Sequence, residues 1–134
     1  MDVRRIGYIL YVKKYTECIA FYQNILELNI LFKNNELTCF DLFGTYLMVE
    51  KEDRNEFLVL TDDHEKAFSC LRIHVDSVLK WVNILKAKGL DIDYREHDWG
   101  TVAKFFDPDG NLLALKDEAT FTRQMKEYDF SNSK

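Results

Sequence analysis

The sequence predicts an α+β fold made of two copies of one βαβββ unit. Three observations carry this. Strand-like runs rich in β-branched and aromatic residues recur eight times, separated by turn chemistry. Two runs have helical apolar spacing, and each follows the first strand of its half. The halves can also be overlaid: ILYVKKYTECIAFYQNILELNI aligns with LRIHVDSVLKWVNILKAKGLDI, strand upon strand and helix upon helix.

In order, residues 5–13 read as the first strand. Thr16 is a plausible N-cap for a helix over 17–26, with apolar positions Cys18, Ile19, Phe21, Tyr22, Ile25 and Leu26. Strands are expected over 26–33, 36–43 and 45–52, punctuated by Asn34–Asn35 and Gly44. The charge-rich stretch 53–68 reads as a linker. A fifth strand is expected over 70–76. Asp76 or Ser77 can cap a helix through Val78, Leu79, Trp81, Val82, Ile84 and Leu85, with Gly89 as its C′ residue. Strands 90–96, 101–107 and 112–118 complete the second half. Residues 119–134 are expected to form a short helix and a frayed polar end. The organisation is one domain over 1–134: module one 5–52, linker 53–68, module two 69–117, tail 118–134.

The chain has 134 residues and a net charge of −5, from 18 basic and 23 acidic residues. No basic stripe suited to nucleic acid is visible. The cysteines, Cys18, Cys39 and Cys70, are odd in number, widely spaced and without a CxxC pair. That argues against a disulfide framework and a thiolate zinc site, and it fits a reducing compartment, the cytoplasm. The apolar run after Arg4–Arg5 is too short to span a bilayer, so no membrane partner is expected.

Two stretches, FYQNIL after the first strand and FFDPDGNLLAL near the end, resemble the vicinal oxygen chelate superfamily. That superfamily includes glyoxalase I, ring-cleaving dioxygenases, fosfomycin-resistance enzymes and bleomycin-resistance proteins. The resemblance covers about residues 5–117 and implies two curved mixed sheets forming a cleft. Both stretches read as structural. Asp107 can accept bonds from the backbone of its turn, Pro108 pre-sets φ, and Gly110 tolerates a positive φ.

Metal-dependent members place His or Glu at four strand positions. Carried over by register, these fall on Gly7, Met48, Cys70 and Ala114, which make no cation site. A slip of two residues yields Glu50, Arg72 and Lys116, which also make none. The resemblance is therefore to the metal-free branch, with no cofactor.

If Gly7 and Cys70 mark the concave face, alternation places Ile9, Tyr11, Met48, Glu50, Arg72, His74, Ala114 and Lys116 there too. The opposite face holds Tyr8, Leu10, Val12, Leu71, Ile73, Val75, Leu113 and Leu115, nearly all apolar. Arg72 either pairs with an internal acid, Glu50 or Asp41, or awaits an anionic or carbonyl-bearing ligand. His74 is a core histidine or a general base, and Cys70 is inert or a nucleophile. The Trp99–Gly100 pair resembles bleomycin-resistance proteins, which hold a ligand between two subunits; Trp99 stacks on a flat ligand or caps the core. His64 and His97 read as solvated.

The expected ligand-binding set is thus Tyr11, Met48, Glu50, Cys70, Arg72, His74, Trp99 and Lys116. The expected function is binding or sequestration of a small organic molecule by a homodimer. The alternatives are a superfamily enzyme of lyase, dioxygenase or thiol-transferase type with a degenerate metal site, and a structural or partner-binding module with a filled cavity.

Overall fold

A computed structural model describes residues 1–58 and 69–132. The elements are β1 (Gly7–Val12), α1 (Tyr15–Ala20), β2 (Ile30–Lys33), β3 (Leu37–Leu42), β4 (Thr45–Lys51), α2 (Asn55–Leu58), β5 (Cys70–Val75), α3 (Val78–Ala87), β6 (Asp93–His97), β7 (Gly100–Phe106), β8 (Leu112–Asp117) and α4 (Glu118–Asn132). The chain divides into two compact units: unit 1 holds 1–67 and the turn 107–111, and unit 2 holds 68–106 and 112–134.

Unit 1 contains a four-stranded sheet of order β1-β4-β3-β2. β1 runs parallel to β4, and the other pairings are antiparallel. Alternation makes the sheet two-faced. Phe40, Leu47 and Val49 are fully buried with Val12 and the helical residues Cys18, Phe21 and Tyr22. Tyr22 packs edge-on to Phe21 and tilted to Phe40, with centroids 5.0 and 6.1 Å apart. The register puts Gly7, Ile9 and Tyr11 beside Tyr46, Met48 and Glu50 on the other face.

The helical segment departs from expectation at both ends. Thr16 does not cap it; the helix begins at Tyr15, and Lys14 at the N-cap makes no side-chain cap. Asp109 supplies an acceptor instead, its Oδ1 taking the N–H groups of Lys13 and Lys14 at 2.9 and 2.8 Å. After Ala20 the coil widens into a π-turn over Phe21–Ile25, closed by Leu26 N–H to the Phe21 carbonyl at 3.1 Å. Glu27 then takes a φ of 56°. The chain therefore cannot extend from residue 26, and β2 starts only at Ile30. The turn 107–111, assigned by sequence to module two, clusters with unit 1. The linker contributes α2, and residues 59–68 of it, including His64, lie outside the described residues.

Unit 2 repeats the plan with order β5-β8-β7-β6, parallel at β5/β8 and antiparallel elsewhere. Val78, Val82 and Leu85 of α3 are buried with Ala103, Phe105, Leu113 and Leu115. Ser77 is the cap of α3, its Oγ accepting from Lys80 N–H at 3.3 Å, and Asp76 accepts from Trp81 Nε1 at 3.0 Å. At the far end Gly89 N–H bonds the Lys86 carbonyl and Leu90 N–H the Leu85 carbonyl, at 2.9 and 3.2 Å. This closure occupies Leu90, and Ile92 is buried, so β6 begins at Asp93 rather than at 90. The tail forms the fifteen-residue helix α4, longer than expected. Residues 133–134 of the expected frayed end lie outside the described residues. No helix among the described residues is long and apolar enough to cross a membrane.

Candidate functional site

The face of the unit 2 sheet opposite α3 carries the candidate site. Its register sets Arg72 beside Ala114, Ala114 beside Lys104, and Lys104 beside Asp93, one residue from each of four strands. The next row holds His74, Lys116, Val102 and Arg95. Above these rows lies a pocket of about 340 Å³, lined by Arg72, Lys104, Asp93 and Arg95, with Val102, His97 and Trp99.

One wall is flat. The rings of His97 and Trp99 stack with centroids 4.5 Å apart and planes within 8°, and Trp99 remains 42% exposed. The floor is cationic. Asp93 bonds Arg95 Nε at 3.2 Å, while Arg72 and Lys104 make no hydrogen bond or ion pair among the described residues. The pocket therefore has three cations to one carboxylate.

Lys116 lies beneath this layer. Its side chain is 1% exposed, with Nζ 5.8 Å from the Trp99 ring centroid. The ammonium donates to Asp117 Oδ1 at 3.0 Å and to Thr120 Oγ1. Asp117 is the N-cap of α4, its Oδ2 accepting from Thr120 N–H at 2.8 Å, and its Oδ1 also takes Thr101 N–H at 2.8 Å. Arg123 of α4 donates to the Asp98 carbonyl at 3.2 Å. Helix α4 thus holds the loop that presents Trp99.

Burial pushes the Asp117 carboxyl up, but the bonds from Thr101, Thr120 and Lys116 outweigh it and hold it well below the usual carboxylate range. A depressed native pKa contributes stability that is present above the unfolded value and is lost as pH falls through the native one. The urea midpoint of the parent should therefore fall further than that of Asp117→Asn between about pH 5 and pH 2. Parallel midpoint curves would show that the carboxylate is not differentially stabilised.

The expected site residues fall in both units. Arg72 and Trp99 line the pocket. Cys70 is exposed on β5. Partial burial raises its thiol pKa despite the opposing charges of Arg72 and Lys104, so no activated thiolate results. His74 shares the face but turns to α4, with Nδ1 3.3 Å from Glu118 Oε1 and its ring edge-on to Phe121 at 4.7 Å. Lys116 is held from below. Tyr11, Met48 and Glu50 belong to unit 1, where Tyr11 lies under the Arg54 guanidinium at 4.5 Å. Sequence reasoning missed Asp93, Arg95, Val102 and Lys104 and took His97 only as solvated. Alternation along β6 and β7, the signal used on β5, would have found them.

The positions implied for a metal do not fit one. Gly7 offers no ligand atom, and a Cβ built there would overlap the Tyr46 ring. Ala114 stands between two cations, which would repel a divalent ion. Among the described residues no three His, Cys, Asp or Glu side chains converge as a metal site.

The Glyoxalase/Bleomycin resistance protein/Dioxygenase superfamily model matches residues 5–115. No curated protein matches the chain by sequence. Several known structures share its fold. The fosfomycin resistance protein FosX of Listeria monocytogenes has a TM-score of 0.70 and 20% identity, covering 87% of this chain and 94% of its own. The antibiotic binding protein TnmS3 of Streptomyces sp. CB03234 has a TM-score of 0.68 and 18% identity, covering 87% and 98%. A bleomycin-binding protein complexed with bleomycin has a TM-score of 0.66 and 20% identity, covering 87% and 99%.

Proposed function

The chain belongs to the glyoxalase/bleomycin resistance protein/dioxygenase superfamily, and on that premise we propose that it is a metal-independent, dimeric binding protein for a small organic molecule. The observation that carries this is the unit 2 pocket, with a flat aromatic wall beside a polar floor and enough volume for a compact ligand. Two relatives in fold are named for binding an antibiotic or bleomycin, which supports the same use of the fold here.

Independence of metal is supported by Gly7 and Ala114, which lack ligand atoms at two of the four positions. The homodimer is supported by unit 1, whose sheet leaves Ile9, Tyr11 and Phe32 exposed at 41%, 38% and 54%. Apolar sheet residues in that number are commonly covered by a partner, and a second copy related by a twofold is the simplest one. The three free cysteines fit a reducing compartment, and we place the protein in the cytoplasm.

Native mass spectrometry tests these points together. The expected species has about twice the 15.9 kDa chain mass, carries no stoichiometric metal, and gains the mass of organic ligands from a small-molecule library. Trp99→Ala should lose those gains. A monomer at micromolar concentration would overturn the dimer. One retained metal per chain would overturn metal independence. Absence of any ligand gain would overturn the binding function.

A further inference from the structure

Resting on that binding reading, we propose that the ligand is a planar organic anion, its ring stacked on Trp99 and its oxyanion, a carboxylate or phosphate, held between Arg72 and Lys104. The placement follows from the register. Arg72 and Lys104 flank Ala114 from the two strands on either side of it. Adjacent strands lie about 4.8 Å apart, so the two Cα atoms are separated by about 10 Å. Long cationic side chains rooted at that spacing can converge on one oxyanion above the small Ala114 side chain.

The electrostatics point the same way. The chain is acidic, with a net charge of −5, yet this floor concentrates three cations. The single carboxylate, Asp93, bonds Arg95. Neither Arg72 nor Lys104 has a hydrogen bond or ion pair among the described residues. Two unpaired cations side by side repel each other, and an oxyanion placed between them removes that repulsion and gains charge-assisted hydrogen bonds. Beside them the stacked His97–Trp99 pair, with planes within 8°, offers a surface suited to a flat ring rather than to an aliphatic chain.

Calorimetry with four matched probes tests this: naphthalene-2-carboxylate, 2-naphthyl phosphate, the neutral 2-naphthalenemethanol and the cationic 2-naphthylmethylammonium. At least one oxyanion should bind about tenfold or more tightly than the alcohol, and the ammonium most weakly, as expected for one charge-assisted contact. The oxyanion that binds more tightly identifies the headgroup. Arg72→Gln and Lys104→Gln, both at exposed positions, should each remove most of that preference for oxyanion over alcohol. Trp99→Ala should weaken all four probes.

Equal binding of oxyanion and alcohol, with Trp99→Ala weakening both, would overturn the anion inference and leave the binding site standing. Oxyanion binding unchanged by both Gln variants would also overturn it. No binding of any probe at about 10 mM, a free energy under roughly 3 kcal/mol, would overturn both readings.

Discussion

Asp107→Ala is expected to lower folding stability by about 3–5 kcal/mol, the cost of stripping a buried charged acceptor from several donors at once. Asp107 is 4% exposed. Its Oδ1 accepts the N–H groups of Asp109 and Asn111, each at 2.9 Å. Its Oδ2 accepts from Tyr22 Oη at 2.7 Å and from the Asn111 amide at 2.8 Å. Truncation leaves all four donors without that partner in a site that water reaches poorly. Burial drives both pKa values up: the Tyr22 hydroxyl stays protonated and donates, with Asp107 reinforcing the shift, while bonds from Asn111 and Tyr22 partly restrain the rise at Asp107. Tyr22→Phe removes one donor and keeps the ring, so it should cost less, about 1–2 kcal/mol. Urea denaturation of both variants checks the ranking. A loss below about 1 kcal/mol for Asp107→Ala would show that the turn relaxes and finds other acceptors.

Gly100→Ala is expected to cost a similar amount, about 3–5 kcal/mol, from two sources that add. Gly100 has a φ of 142°, where an L side chain is strained. A Cβ there would also fall within contact distance of Lys116 Nζ, Thr120 Oγ1 and Asp117 Oδ1. Those three atoms form the network that caps α4 and supports the Trp99 loop, so the methyl group cannot enter without breaking it. Urea denaturation gives the stability, and the tryptophan signal should report a displaced Trp99. A variant as stable as the parent would mean that the buried ammonium can shift at little cost.

The same glycine shows where sequence reading stops. The strand expected over 101–107 is a local statement, and β7 matches it to within one residue by beginning at Gly100. Nothing local says that Gly100 leaves room for Lys116, sixteen residues further on. Alternation assigns Lys116 to the ligand-facing side, and the register sets it beside His74 and Val102. Its ammonium is tied down because Asp117 and Thr120 of α4 meet it, and the sequence pattern of 119–134 did not reveal so long a helix. Likewise Thr16 had the chemistry of a cap, but a remote carboxylate, Asp109, took the amides at the start of α1.

The sequence by itself determined the doubled βαβββ plan, the superfamily, and which face of β1, β4, β5 and β8 each side chain occupies. These follow from periods of two and 3.6 residues and from turn chemistry, which are properties of neighbouring residues. Only the tertiary structure decided which of those side chains meet. The pocket needs four strands in one register, so that Arg72, Ala114, Lys104 and Asp93 form a row drawn from positions up to 42 residues apart. A slip of two residues in any pairing would keep every face and still break the row, and that choice is made by long-range packing against α3 rather than by any local pattern.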